Sequence, residues 1–266
     1  MICRTLFTIV LVLAATSAQA QTKDRLDRRD KLFGFEAVGL LEGQGGTCTA
    51  ALIARDVALT AAHCVHRKRG KFVFRAAFSD GAALASRQVT DIVIAQAYIE
   101  ADANRDRAGE VANDVALVRL SSPIYDAGIN PYEIAKSPLT GASLTLASYG
   151  RGRMGALQLE RGCRLTKRYR GGVVRVDCDA TYGSSGAPVF TQGSGRPRIF
   201  SIVSSGVTVG ESNEQTLGVE LTEIVPELMR ELANKRSLAP STPNARRIKI
   251  GERATGGARF VRPGGS

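Results

Sequence analysis

Beyond its first twenty residues this 266-residue chain has no long apolar run, and it contains only two histidines, His63 and His66. The first absence excludes a membrane span, which needs about 20 consecutive apolar residues. The run from Leu6 to Ala15 is itself too short; preceded by Arg4 and followed by Ala18-Gln19-Ala20, it has the layout of a secretory signal peptide over residues 1–20. Cleavage after Ala20 is expected, with a mature protein that is secreted or periplasmic. The shortage of histidine argues against a zinc centre, neither cysteine pair has zinc-ligand spacing, and no acidic loop resembles a calcium site, so no metal is expected. Acidic residues are scarce at the C-terminal end: between Arg236 and Ser266 only Glu252 opposes Arg236, Arg246, Arg247, Lys249, Arg253, Arg259 and Arg262. With its prolines and glycines, the segment 236–266 reads as a solvated, disordered basic tail whose charge suits weak contact with an anionic surface.

Cys3 leaves with the leader, and Cys48, Cys64, Cys163 and Cys178 remain, an even number in an oxidising compartment. Four cysteines allow three pairings. The simplest by proximity, Cys48–Cys64 with Cys163–Cys178, closes two loops of about 15 residues, each stabilising by about 3 kcal/mol in the chain-entropy account. Apolar residues make up 44% of the chain and glycines number 28, a globular and turn-rich composition rather than a disordered one.

Residues 35–122 read as short β-type runs ("EAVGLLEG", "TCTAALIA", "VALTAAHC", "KFVFRAAF", "RQVTDIVIA", "DVALVRL") separated by breaks such as "SDGA" and "GEVAND". Residues 140–220 repeat the style. "SSPIYDAGINPYEIAKSP", with three prolines, reads as a connector, and "EIVPELMRELANKR" fits a helix over about 222–235 through Ile224, Leu228 and Leu232. Many short strands without alternating long helices predict an all-β fold of two lobes with a terminal helix.

The stretch "ATYGSSGAPVF" sets two serines, Ser184 and Ser185, between glycines. A serine hydroxyl becomes a useful nucleophile only beside a base that is itself oriented by an acid. Both histidines precede this stretch, which excludes the Ser-acid-His order of α/β-hydrolases, and Ala187 spoils their G-x-S-x-G signature. What remains is His-acid-Ser, or acid-His-Ser with an acid such as Asp56. His63 ends an apolar run beside Cys64, whereas His66 lies in the basic turn "HRKRG", where a solvated histidine is expected. Asp114 opens the apolar strand "DVALVRL", and a carboxylate drawn inward there needs hydrogen-bond donors.

"LTAAHC", "NDVALVRL" and "GSSGAP", in that order, resemble the three catalytic motifs of the chymotrypsin-like serine peptidases, closest to their bacterial V8-like (glutamyl-endopeptidase-like) and trypsin-like branches. The resemblance covers about 35–235. It implies two perpendicular six-stranded β-barrels, about 35–122 and 140–220, with the active site between them and a C-terminal α-helix. It assigns Ser185 as nucleophile, His63 as base, Asp114 as the orienting acid, and the amides of Gly183 and Ser185 as the oxyanion hole. Ser184 stands where animal trypsins carry the aspartate that pairs with a new N-terminus, so that ion pair is not expected. Residues 21–34 are then an N-terminal extension, either a short trimmed propeptide or a frayed start.

Asp179 lies six residues before Ser185, where trypsins place the acid that receives Arg or Lys, although an Asp-x-Thr there serves a structural role in some V8-like relatives. Ser204 and Ser205 match the strand that pairs with substrate backbone. Gly206 and Gly218 match small residues of an open pocket, and Val203 stands where glutamate-specific relatives tend to carry histidine. The resemblance implies a monomeric secreted endopeptidase of proteins or peptides, cleaving after Arg or Lys, with no cofactor and no nucleic-acid partner. Cleavage after Glu or small apolar residues, and a latent envelope-binding protein of the same fold, are the alternatives.

Overall fold

The computed structural model describes residues 23–238, apart from 29, 30, 127, 153, 192, 194 and 210–212. The expected leader at 1–20, and the expected basic tail from 239 onward, lie outside the described residues.

Residues Val38–Gly43 (β2), Gly46–Ala54 (β3), Val57–Thr60 (β4), Val73–Ala76 (β5), Ala85–Ile94 (β6) and Ala116–Leu120 (β7) follow a first strand, β1, at Lys23–Leu26. They close an antiparallel barrel in the order β2-β3-β4-β7-β6-β5. The period-two alternation of a strand shows in β5, where Phe74 and Ala76 are buried and Val73 and Arg75 half-buried. Phe74, Leu52, Leu59 and Leu117 fill this core.

The second barrel is built from Ser143–Ser148 (β8), Leu157–Arg168 (β9), Val173–Val176 (β10), Pro188–Thr191 (β11), Arg198–Val209 (β12) and Asn213–Glu220 (β13). It runs β9-β10-β13-β12-β11-β8 and closes through β8–β9 pairing. Both expected disulfides are formed, Cys48–Cys64 and Cys163–Cys178. Two six-stranded barrels therefore stand as expected.

Three regions depart from the sequence reading. In the start of the chain the described residues 23–28 and 31–34 are docked: β1 pairs with β9 from Lys23↔Glu160 to Leu26↔Leu157, on the part of β9 that precedes its pairing with β10 at Leu165–Arg168. Leu26, Leu32 and Phe35 are buried, which ties this segment down. Flanked by β1 on one edge and β8 on the other, the first four residues of β9, Leu157–Glu160, are all buried.

Between β6 and β7 lie two helices, α1 (Gln96–Asn104) and α2 (Arg107–Ala112), where only strands and a "GEVAND" break were expected. The alanine-rich "QAYIEADAN" has no β-branched run to oppose a helix, and Tyr98 and Ala101 bury one face of it. The terminal helix, α3, spans Ile224–Leu238, three residues into the segment assigned to the tail. Its buried Val225, Leu228 and Leu232 recur at helical spacing and lie against the first barrel, where Arg119 Nη2 donates to Leu232 O at 2.8 Å.

Candidate active site

His63 sits in the 3₁₀ turn Ala62–Cys64 that leaves β4, and the disulfide from Cys64 to Cys48 on β3 pins that turn. These cysteines and His63 cluster closely enough to suggest metal ligands, but bonded to each other the sulfurs offer no thiolate.

Asp114, just ahead of β7, is 2% exposed. Its Oδ1 accepts the His63 backbone N–H at 2.9 Å, and its Oδ2 accepts from His63 Nδ1 at 2.7 Å and from Ser204 Oγ at 2.6 Å. Three donors satisfy a buried carboxylate whose isolation would be costly. Because a carboxylate only accepts, Nδ1 carries the hydrogen, and Nε2 is left with its lone pair as a base. Asp56, the other acid considered, is turned elsewhere and receives Arg119 Nη1 at 3.2 Å.

His66 is not solvated. Its Nε2 lies 3.1 Å from Asp102 Oδ2, Arg67 shares that carboxylate at 2.8 Å, and the ring meets Tyr98 edge-on. Tyr98, on the buried face of α1, has its hydroxyl pKa pushed up to about 12, first by burial and then by the Asp114 charge.

The two serines separate cleanly. Ser184 is fully buried, and its hydroxyl accepts Thr181 N–H at 3.2 Å within its own turn. Ser185 is half-buried and linked to the opposite barrel, its carbonyl accepting Thr49 N–H at 2.9 Å. Gly186 follows at φ +76°; a Cβ there would stand 2.3 Å from Thr60 Oγ1, 2.4 Å from Thr49 O and 2.8 Å from Ala61 N. Only glycine lets the serine loop lie so close to the chain that leads into His63. Gly186 N–H also donates to Val203 O at 2.7 Å, so the residue before Ser204 is tied to the same loop.

Gly183 has φ +94° and would place a Cβ 2.5 Å from Tyr149 O. The Tyr182 carbonyl accepts Arg151 N–H at 2.6 Å, so in that trans peptide the Gly183 N–H points away from Arg151. Among the described residues, neither Gly183 N–H nor Ser185 N–H donates to a protein acceptor.

Of the residues expected to line the specificity pocket, Ser204, Ser205 and Gly206 lie on β12, Gly218 lies on β13, and Asp179 lies between β10 and β11. Ser204 lies at an irregularity between Val203 and Ser205 in the β12–β13 ladder, and its hydroxyl serves Asp114. Ser205 and Gly206 continue β12, paired with Leu217 and Thr216, while Gly218 pairs with Val203 and Val174. A Cβ on Gly218 would lie 2.4 Å from Ser201 Oγ and 2.8 Å from the backbone carbonyl of Ile202, so crowding already requires glycine there.

Asp179 is occupied by the chain itself. Lys23 Nζ lies 2.5 Å from Asp179 Oδ2, donates also to the Asp179 carbonyl, and lies 3.4 Å from Glu160 Oε2. Glu160 accepts the Asp179 N–H through both oxygens and is 1% exposed, and burial raises its pKa while the Lys23 charge opposes the rise. No sequence signal links Lys23 to Asp179 across 156 residues.

The chain resembles known proteins in sequence and in fold. It is 24% identical over 216 residues to a glutamyl endopeptidase of Bacillus licheniformis, covering 78% of this chain and about 65% of the relative's length. Among solved structures, a Glu endopeptidase in complex with MPD superposes with TM-score 0.67 at 18% identity, over 81% of this chain and 98% of that one. The protease Anisep from Arthrobacter nicotinovorans superposes with TM-score 0.58 at 17% identity, over 75% and 96%. The trypsin-like peptidase domain family matches residues 48–197, more than half of the sequence, and the chain belongs to that family.

Proposed function

We propose that the protein is an exported serine endopeptidase that acts on proteins or peptides. The observation that carries the reading is the Ser204–Asp114–His63 hydrogen-bond chain, with its carboxylate buried, beside a serine loop in which Ser184 is buried and Ser185 is presented. Ser185 Oγ attacks the scissile carbonyl carbon while His63 Nε2 takes its proton. The developing oxyanion is received by the Gly183 and Ser185 amides, where one donor contributes about 2.7–4 kcal/mol. The tetrahedral species collapses to an ester on Ser185, and the leaving amine departs with the proton held by His63. Water oxygen then adds to the ester carbonyl as Nε2 takes its proton, and that proton passes to Ser185 Oγ as the ester bond breaks and the acid is released. Asp114 stays ionised, holding the ring's tautomer and balancing the imidazolium. Two disulfides accord with export, and among the described residues no helix is long and apolar enough to cross a membrane.

For specificity we propose glutamate ahead of arginine or lysine before the scissile bond. The internal ammonium of Lys23 already engages the Asp179 carboxylate, so a substrate cation would have to displace it. The name of the Bacillus licheniformis relative supports glutamate. The Arg/Lys reading keeps one observation in its favour: the Asp179 side chain remains 38% exposed. A mixed peptide library incubated with the wild type and with Ser185→Ala, read by mass spectrometry, tests both levels. Serine-dependent cuts after Glu support the full reading, cuts after Arg and Lys overturn the specificity alone, and cuts that persist in Ser185→Ala overturn the catalytic assignment.

A further inference from the structure

We infer that Thr49, on β3 of the first barrel, is a positioning residue for the oxyanion hole in the second. The inference rests on the serine-peptidase reading above.

Thr49 is fully buried and uses every polar group it has. Its N–H donates to Ser185 O at 2.9 Å, its Oγ1 donates to Gly183 O at 2.9 Å and accepts Tyr149 N–H at 3.0 Å, and its carbonyl accepts Thr60 Oγ1 at 2.9 Å. One residue thus holds the carbonyls of both residues whose amides would face the oxyanion.

The consequence is sharpest at Gly183. A glycine at positive φ has no side chain to restrain it, and rotation about its two backbone bonds would swing the N–H out of line. Here the peptide plane before Gly183 is held by Arg151 N–H on Tyr182 O, and the plane after it by Thr49 Oγ1 on Gly183 O. Those two anchors determine φ and ψ between them. The hydroxyl of Thr49 is the anchor that comes from the other barrel, so the docking of the barrels fixes the plane after Gly183 and, together with the Arg151 bond, keeps the Gly183 amide in its direction. Thr60, one strand along, braces Thr49 through the latter's carbonyl, and its Oγ1 is also the nearest atom to the space a side chain on Gly186 would need.

Thr49→Val keeps the shape of the side chain and removes its hydroxyl, leaving Gly183 O and Tyr149 N–H without that partner. Removing an oxyanion donor outright lowers kcat by about 10²–10³; misdirecting one of two donors is expected to lower kcat about 10- to 100-fold with KM within about twofold. Affinity for a peptidyl trifluoromethyl ketone, which forms the tetrahedral adduct, falls by the same factor. Affinity of a non-cleavable substrate peptide, measured in the Ser185→Ala background, stays unchanged. Thr49→Ser, which retains Oγ, restores kcat to within about threefold, and Thr49→Ala reports the same loss as valine should valine disturb folding, each judged against circular dichroism and thermal melts.

If wild type cleaves in a Ser185-dependent way and Thr49→Val and Thr49→Ala match it in kcat, the inference is overturned while the peptidase reading stands. It is also overturned if loss of kcat and loss of substrate affinity are equal, since that marks general disruption of the cleft. If wild type shows no Ser185-dependent cleavage, the peptidase reading falls and this inference falls with it.

Discussion

Replacing Lys23 by methionine should destabilise the protein in a manner set by pH. The ammonium faces two carboxylates of different burial, Asp179 with a 38% exposed side chain and Glu160 at 1%. Removing one partner of a buried ion pair costs about 3–5 kcal/mol, whereas an exposed pair contributes about 0–1 kcal/mol. Glu160 keeps its two bonds from Asp179 N–H, at 3.2 and 3.1 Å, and Asp179 is part-exposed, which places the expected loss at or just below the lower end of that range, about 2–3 kcal/mol. For a domain of this size that lowers Tm by about 5–10 °C. Burial raises the Glu160 pKa above its ordinary 4.5, and the Lys23 charge opposes that rise. A carboxyl raised in the folded state binds its proton more tightly there than in the unfolded chain. Its contribution therefore favours the fold below pH 4.5 and is lost as pH climbs through the folded value. Without Lys23 that folded value moves higher, so the variant suffers most at pH 8 and least at pH 4, where Glu160 can be neutral. Thermal melts of both proteins at the two pH values measure this directly, and Lys23→Met with Glu160→Gln should recover most of the loss at pH 8. An equal loss at both pH values, or a larger one at pH 4, would refute the reasoning.

Two further outcomes follow from the site's geometry. Ser204→Ala removes a 2.6 Å bond to the Asp114 carboxylate while leaving both His63 bonds in place; deleting a hydrogen bond to a charged group costs about 1.5–3 kcal/mol, so kcat/KM should fall at least about tenfold, and an unchanged value would show that His63 alone orients the acid. Gly186→Ala combines a φ of +76° with Cβ contacts of 2.3–2.8 Å, a strain of about 1–3 kcal/mol from the backbone alone; peptidase activity should drop more than about 100-fold, and a fully active, equally stable alanine variant would contradict the close seam between the barrels.

Much of this site was legible because its chemistry is concentrated in contiguous words of sequence. "LTAAHC" carries both the histidine and the cysteine that pins it, and "NDVALVRL" puts a carboxylate at the mouth of an apolar strand, where the structure gives it three donors. The disulfides follow from sequence proximity, since each joins neighbours on an antiparallel meander. Other features depend on contacts no local pattern records. Thr49 and Gly183 are 134 residues apart, and nothing about a threonine after Cys48 announces a link to a distant glycine carbonyl. Asp179 has the spacing of a substrate-binding acid, yet β1 delivers an ammonium to it from the far end of the chain. His66 looks solvated among basic neighbours because the acid that receives it, Asp102, comes from an inserted helix that a strand-by-strand reading passes over.

The central claim is that Ser185, and not its neighbour, is an activated nucleophile. Treating the intact, disulfide-bonded protein with a fluorophosphonate and mapping the adduct by peptide mass spectrometry tests it most directly. A single phosphonyl group on Ser185, absent in His63→Ala and unaffected by exchange of Ser184 for alanine, is the result the account predicts. An adduct on Ser184, or no adduct on the folded protein at all, would contradict it.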